Sequence, residues 1–261
     1  MLKHLVKLTQ YGDLLLSMTM RDIQVRYKQT VLGAAWAIAQ PVAFILILAG
    51  LKSAIFQESS SEGAPHMIFL YCAMVPWTFF QSSMNFATTS ISGNMNLVKK
   101  IYFPREIFPV SSIFACIVDF LIASIIFIVM MLFYRIPFTA SLAWVPALFF
   151  VELVFVLGVG LFVAASNVFY RDVKYIVPLV LQILLFASPI IYSIDRVPAR
   201  LRSWYLLNPL AVVIDGFRKT IIHGTAPELG PLAVSAATAA VCFALAYAYF
   251  KRLEDRFADL I

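Results

Sequence analysis

Between Glu62 and Lys99 the chain carries no Asp, Glu, Lys or Arg. A bilayer-crossing helix needs about 20 consecutive apolar residues, and this stretch is longer than that. The pattern recurs. Segments of spanning length lie at about 31–54, 66–92, 108–134, 142–168, 175–192 and 229–250 of the 261 residues. Only 13% of the chain is charged and 62% is hydrophobic, against about 25% charged in soluble domains. A soluble protein of this size would lack the polar groups to cover its surface. Disordered, nucleic-acid-binding and disulfide-stapled classes fall at the same step. The expectation is an all-α integral membrane protein with six transmembrane helices.

The basic residues set the orientation. With both termini cytoplasmic, thirteen of the twenty Lys and Arg fall on the inner side, as the positive-inside rule requires. Seven fall outside, and five of these, Arg196, Arg200, Arg202, Arg218 and Lys219, share the connection 193–228. That clustering marks the connection as ordered structure near the membrane. It is also apolar, with Trp204 to Leu207, Val212 to Ile214 and Phe217, and is broken at Asn208-Pro209. Helices that re-enter the outer surface fit it, Pro209 suiting a first helical turn. Its cations meet lipid phosphates or an anionic substrate, or act as interfacial anchors.

The chain divides into an N-terminal segment, 1–30, and a transmembrane region, 31–261. No cleavable signal peptide is visible in the first 30 residues, which lack a long apolar run. Leu16, Met20, Ile23 and Tyr27 fall on one helical face, and Arg21, Gln24 and Lys28 on another. This pattern predicts an amphipathic helix in the membrane interface; the alternative is a solvated start to the first span. The connection 93–107, from Gly93 to Ile107, is apolar with a basic middle. It suits a short element that docks a partner, or a lipid-facing basic turn.

Few residues offer chemistry. Asp119 in the third span and Glu152 in the fourth are the carboxyls deep in apolar segments. A charge at the bilayer centre costs about 2.5–3.5 kcal/mol on insertion scales. Each is either a polar contact along a transport path or a structural link between helices. No basic residue lies at matching depth in any span, and Asp119→Asn is expected to be tolerated. Cys72, Cys116 and Cys242 lie in apolar runs without metal-ligand spacing. His4, His66 and His223 are far apart. No catalytic or metal residue is assigned. The chain has no phosphate-binding G-x-x-x-x-G-K-[ST] loop, and Gly158-Val159-Gly160 fits close helix packing. Aromatic residues make up 15%, and rings suit both interfacial anchoring and stacking on sugars. Trp77 and Phe80 in the second span are the rings singled out for a sugar path.

Together these residues resemble a known family. Arg21-Asp22-Ile23-x-x-Arg26-Tyr27-Lys28, Leu32-Gly33-x-x-Trp36 and Gln40-Pro41 are similar to the N-terminal signature of ABC-2 type polysaccharide export permeases. Asn96-Leu97-Val98-Lys99-Lys100-x-x-Phe103-Pro104 resembles their coupling segment. Arg171-Asp172, Ser188-Pro189-Ile190-x-Tyr192 and Asn208-Pro209 follow in the same order. The likeness is greatest to O-antigen exporters, then to teichoic acid and capsule exporters.

The resemblance implies a permease without cofactor of its own, in the cytoplasmic (inner) membrane. Two copies would form a channel above two copies of a separate ATP-binding cassette ATPase, which would bind ATP and Mg. The substrate would be a polyprenyl-linked polysaccharide, with membrane lipid as surroundings and no nucleic acid. Asn96, Lys99, Lys100, Phe103 and Pro104 would couple to the ATPase. The first and fifth spans would line the channel. Periplasmic gate helices between spans five and six would include Tyr192, Trp204, Asn208 and Pro209. Arg21 and Arg26 would meet the lipid diphosphate or phospholipid headgroups, and Trp77, Phe80 and Asp119 the substrate. Rival readings are an ABC-2 permease for teichoic acid, capsule, lipid or drug, an intramembrane glycosyl or acyl transferase, and a secondary transporter. The enzyme needs a clustered acid–base site, and the secondary transporter usually shows internal repeats.

Overall fold

The computed structural model describes residues 11–28, 42, 43, 46, 47, 50, 66–100, 103–198, 200 and 205–257. Most of the expected first span, the motif from Leu32 to Pro41, Trp204, and the side chains of Lys99 and Lys100 lie outside the described residues. Among the described residues there is no strand. The helices are α1 (Gly12–Tyr27), α2 (His66–Ser90), α3 (Met95–Lys100), α4 (Ile107–Phe133), α5 (Val145–Phe169), α6 (Val173–Ala187), α7 (Pro209–Ile221) and α8 (Leu229–Glu254). α4, α5 with its 3-10 lead-in from Ala140, and α8 are long and apolar enough to cross a membrane. Exposed Leu121, Ile125, Val129, Leu132 and Phe133 on α4, and Tyr175, Leu179, Ile183 and Phe186 on α6, form apolar surfaces larger than a water-soluble monomer usually carries. The chain is an all-α membrane protein.

α2 is the central helix, packed by α4, α5, α6 and α7. Ile68, Leu70, Tyr71, Cys72, Trp77 and Met84 on it are buried. α2 buries Ser83 and Thr88 in protein; Thr88 turns its hydroxyl onto the Met84 carbonyl at 2.6 Å. α4 runs antiparallel to α2, with Tyr71 stacked on Phe127 at 5.7 Å and Phe79 against Phe120 at 5.7 Å. α5 runs parallel to α2: Phe80 stacks on Phe155 at 5.8 Å, and Asn167 donates to Ser92 at 3.2 Å. α8 runs parallel to α5, and Phe162 meets Tyr249 at 5.2 Å. A Cβ on Gly158 would stand 2.8 Å from the Phe243 backbone, so the α5–α8 crossing depends on the absence of a side chain there.

The helix ends correct two expectations. The fifth segment stops at Ala187, short of 192. Ser188 is extended before Pro189 (φ −92°, ψ 154°), as a pre-proline residue prefers. At 15 residues and 1.5 Å per residue, α6 is about 22 Å long. The last segment extends past 250 to Glu254. At the end of α4, Arg135 adopts a left-handed φ of 57° and turns the chain toward Ala140.

Candidate functional site

Functional candidates gather at the two ends of the bundle. One end holds α1, α3, the start of α4, the α5–α6 corner and the end of α8. The other holds the 134–144 link, residues 188–198 and α7.

α1 packs along the first half of α4. Ser112 donates to Asp22 at 3.0 Å. Arg26 pairs with Asp119 at 3.1 Å and donates to the Ser112 carbonyl at 3.1 Å. Its guanidinium also lies 3.6 Å from the centre of the Phe86 ring. Tyr27 donates to the other Asp119 oxygen. Burial, then this hydrogen bond, pushes the Tyr27 phenol above its ordinary range, so it remains a donor. Arg21 turns to Asp22 at 2.9 Å.

Asp119 thus has a basic partner, Arg26. The partner comes from α1 and not from another span, which residue spacing within spans does not reveal. α1 has one side turned to the protein and one side left open. Its protein face carries Asp22 and Arg26, while Leu16 and Met20 are exposed. Cys116 sits beside this cluster, accepting from Arg26 at 3.3 Å.

The connection 93–107 is tied into the same end. Phe103 is buried in a cluster with Ile91, Ile107, Phe108, Tyr247, Phe250 and Phe257, onto which Leu15, Met18 and Leu97 pack. Asn96 is exposed and Pro104 half-buried. The Arg105 backbone amide donates to Glu254 at 3.0 Å, and its guanidinium donates to the Glu254 carbonyl. Lys251 bridges Glu106 and Glu254 at 2.7 Å each. Glu106 and Lys251 join the start of α4 to the end of α8, a link that sequence reasoning missed because its members lie 145 positions apart.

At the opposite end, Asn208 caps α7 by accepting from the Leu210 amide at 3.1 Å, and Pro209 occupies its first turn. α7 is buried along most of its length against α2, α5 and α8. Arg218 is 3% exposed and donates to the carbonyls of Pro189, Ile190 and Tyr192 at 2.6, 2.5 and 3.0 Å. It also lies 3.6 Å from the Phe69 ring centre. Lys219 pairs with Asp215 at 2.9 Å and Glu228 at 2.7 Å. These two cations thus bind the protein's own chain, whereas the sequence offered them to lipid phosphates, to an anionic substrate or as interfacial anchors. Tyr192 shares a 2.6 Å hydrogen bond with Tyr205; burial and this bond push its phenol up.

Trp77 and Phe80 lie in the interior, 0% and 4% exposed, with their rings 5.8 Å apart. They face protein within this chain. Glu152 is also fully buried. Trp77 and Glu152 stand at the separation of 75 positions that joins Ser92 to Asn167, so they occupy one level of the parallel α2–α5 pair. Neither the Trp77 indole N–H nor the Glu152 carboxyl has a hydrogen-bond partner among the described residues. The structure thus unites Arg26 with Asp119, and leaves Trp77, Phe80 and Glu152 in a separate interior layer.

Comparison of the sequence with known proteins points to one family. The chain is 28% identical to an O-antigen export system permease protein of Klebsiella pneumoniae over 95% of each chain. It is 26% identical to one of Myxococcus xanthus over the full length of both. A polysialic acid transport protein of Escherichia coli is 25% identical over 80% of this chain and 81% of that protein. The model of the ABC-2 type transporter family matches residues 13–222, from the first turn of α1 to the end of α7. The chain belongs to the ABC-2 type transporter family.

Proposed function

We infer that this protein is the membrane-spanning permease subunit of an ABC transporter that exports a polysaccharide, an O-antigen-like chain carried on a polyprenyl lipid. The observation that carries this reading is the end-to-end similarity to O-antigen export permeases. The permease has six spans, both termini cytoplasmic, and sits in the cytoplasmic membrane as a pair of copies. ATP and Mg bind in a separate cassette ATPase beneath it. The end bearing α1 and α3 is the cytoplasmic one, consistent with its concentration of Arg and Lys.

Asn96, Lys99, Lys100, Phe103 and Pro104 receive the ATPase. The buried Phe103 and the Arg105–Glu254–Lys251–Glu106 links favour this role, because a push on α3 then reaches both α4 and α8. The region from Tyr192 to Asn208-Pro209 forms the outer gate, and Arg218 ties the Pro189–Tyr192 segment to α7. The exposed face of α6 fits a channel lining. Weak, repeated contacts of that kind allow a polymer to slide.

Deleting the gene in its host tests this. The expected result is loss of surface polysaccharide, with lipid-linked glycan retained inside, and recovery on expressing the chain with its ATPase. Surface polysaccharide that persists without the chain contradicts the reading. A capsule-type polymer is the second reading, favoured by the similarity to polysialic acid transport proteins; the identity of the lost glycan separates the two.

A further inference from the structure

Six described cations already have work. Arg21, Arg26, Lys219 and Lys251 hold carboxylates, while Arg105 is bound by Glu254 and Arg218 by three carbonyls. Arg171 and Lys174 differ, although the Lys174 ammonium lies 4.8 Å from the centre of the Tyr175 ring. They form no ion pair among the described residues, and Asp172 between them pairs with neither. Both line one cavity of about 510 Å³ at the α5–α6 corner, together with Ser92 and Asn167. That volume lies within the usual range of ligand sites, about 300–1,000 Å³. The Asn167 amide donates to Ser92 at 3.2 Å, which fixes the polar wall beside the two cations.

The same corner borders a second cavity of opposite character. An apolar groove of about 450 Å³ runs between α2, α5, α6 and α8, lined by Phe162, Tyr170, Ile176, Val180 and Tyr249 among others. The end of α5 and the turn after it divide the two cavities. Ser166 and Tyr170 face the groove, while Asn167 and Arg171, each one position on, face the polar cavity. Residues 166–174 are thus a shared wall between a basic mouth and an apolar trough.

We propose that this corner binds an anionic phospholipid, its phosphate between Arg171 and Lys174 and one acyl chain along the α6 groove. Charge complementarity selects the headgroup: two cations without acidic partners, placed where helices meet, attract lipid phosphate by about fivefold per basic residue. The groove selects a lipid over a free anion, since soluble phosphate gains nothing from Ile176 or Val180. The site rests on reading this end of the bundle as the cytoplasmic membrane interface. It does not depend on which polymer is exported.

The test is native mass spectrometry of the full chain with its ATPase, released from vesicles of phosphatidylcholine mixed with phosphatidylglycerol. The wild type is expected to retain phosphatidylglycerol preferentially. Arg171→Gln with Lys174→Gln should lower that preference by roughly thirtyfold, and Arg171→Lys with Lys174→Arg should preserve it. Val180→Trp, which fills the groove with both cations intact, should also lower retention. Arg252→Gln, an exposed cation at the same end, should leave it unchanged. Unaltered retention in the double Gln variant overturns the site. So does an equal loss in Arg252→Gln, which is general surface attraction, or displacement of the lipid by inorganic diphosphate alone. Surface-glycan export, measured separately, reports on the function and not on this site.

Discussion

Replacing Asp119 by Asn removes the charge that holds Arg26 between α1 and α4, and leaves the guanidinium half-enclosed against Cys116 and the Phe86 ring. Removing one partner of an enclosed pair costs more than the pair contributes. Asp119→Asn and Arg26→Gln should therefore each lower the melting temperature of the purified protein. The double variant should be less harmed than the sum, with a coupling of about 0.5–3 kcal/mol; additive losses would show that the contact contributes nothing. Glu152 behaves differently. Its carboxyl is buried without a described partner, and an amide fills the same space, so Glu152→Gln should leave the melting temperature unchanged. A clear fall would mean that the carboxyl is engaged. In the sequence the two carboxyls look alike, each alone in an apolar run. What separates them is an arginine 93 positions away, and no spacing rule reaches that far. The Arg21-Asp22 to Tyr27 motif was visible as a pattern, but its physical sense, a polar seam against α4, needed the fold.

Among the elements, the α5–α8 contact is set by Gly158, where any side chain meets the Phe243 backbone. Gly158→Leu should destabilise the protein by about 1–3 kcal/mol, the usual cost of overpacking. Gly230→Ala at the start of α8 meets open space and should stay within about 0.5 kcal/mol; thermal unfolding of the two variants side by side checks this. This contact was legible beforehand, because small residues within an apolar run signal close helices. Helices α2, α4, α5 and α8 were legible too, since uninterrupted apolar length is itself the signal. The end of α6 was placed too far along, because Ser188 to Tyr192 is as apolar as a helix. Pro189 and the Arg218 contacts end the helix there, and Arg218 lies 29 positions from Pro189. The start of α7 was read correctly because Asn-Pro carries both the cap and the first turn locally.

For the whole molecule, the two ends have different constructions. The end with α1 and α3 is laced by ion pairs and one aromatic cluster, suited to passing motion between helices. The other end is a buried helix clamped by an arginine onto backbone carbonyls, suited to a gate. Low charge announced the membrane, and the clusters of basic residues marked these ends, but neither told how they are joined. The central claim is that a separate ATPase drives this permease to move a lipid-linked polysaccharide. The direct measurement uses the purified chain and its ATPase in sealed vesicles loaded with lipid-linked glycan on the ATPase side. Glycan reaching the opposite face is read with a membrane-impermeant glycan-cleaving enzyme. The account predicts transfer that requires ATP and both proteins, with ATP hydrolysis stimulated by the glycan. ATP hydrolysis without any transfer, or transfer by the permease alone without ATP, would contradict it.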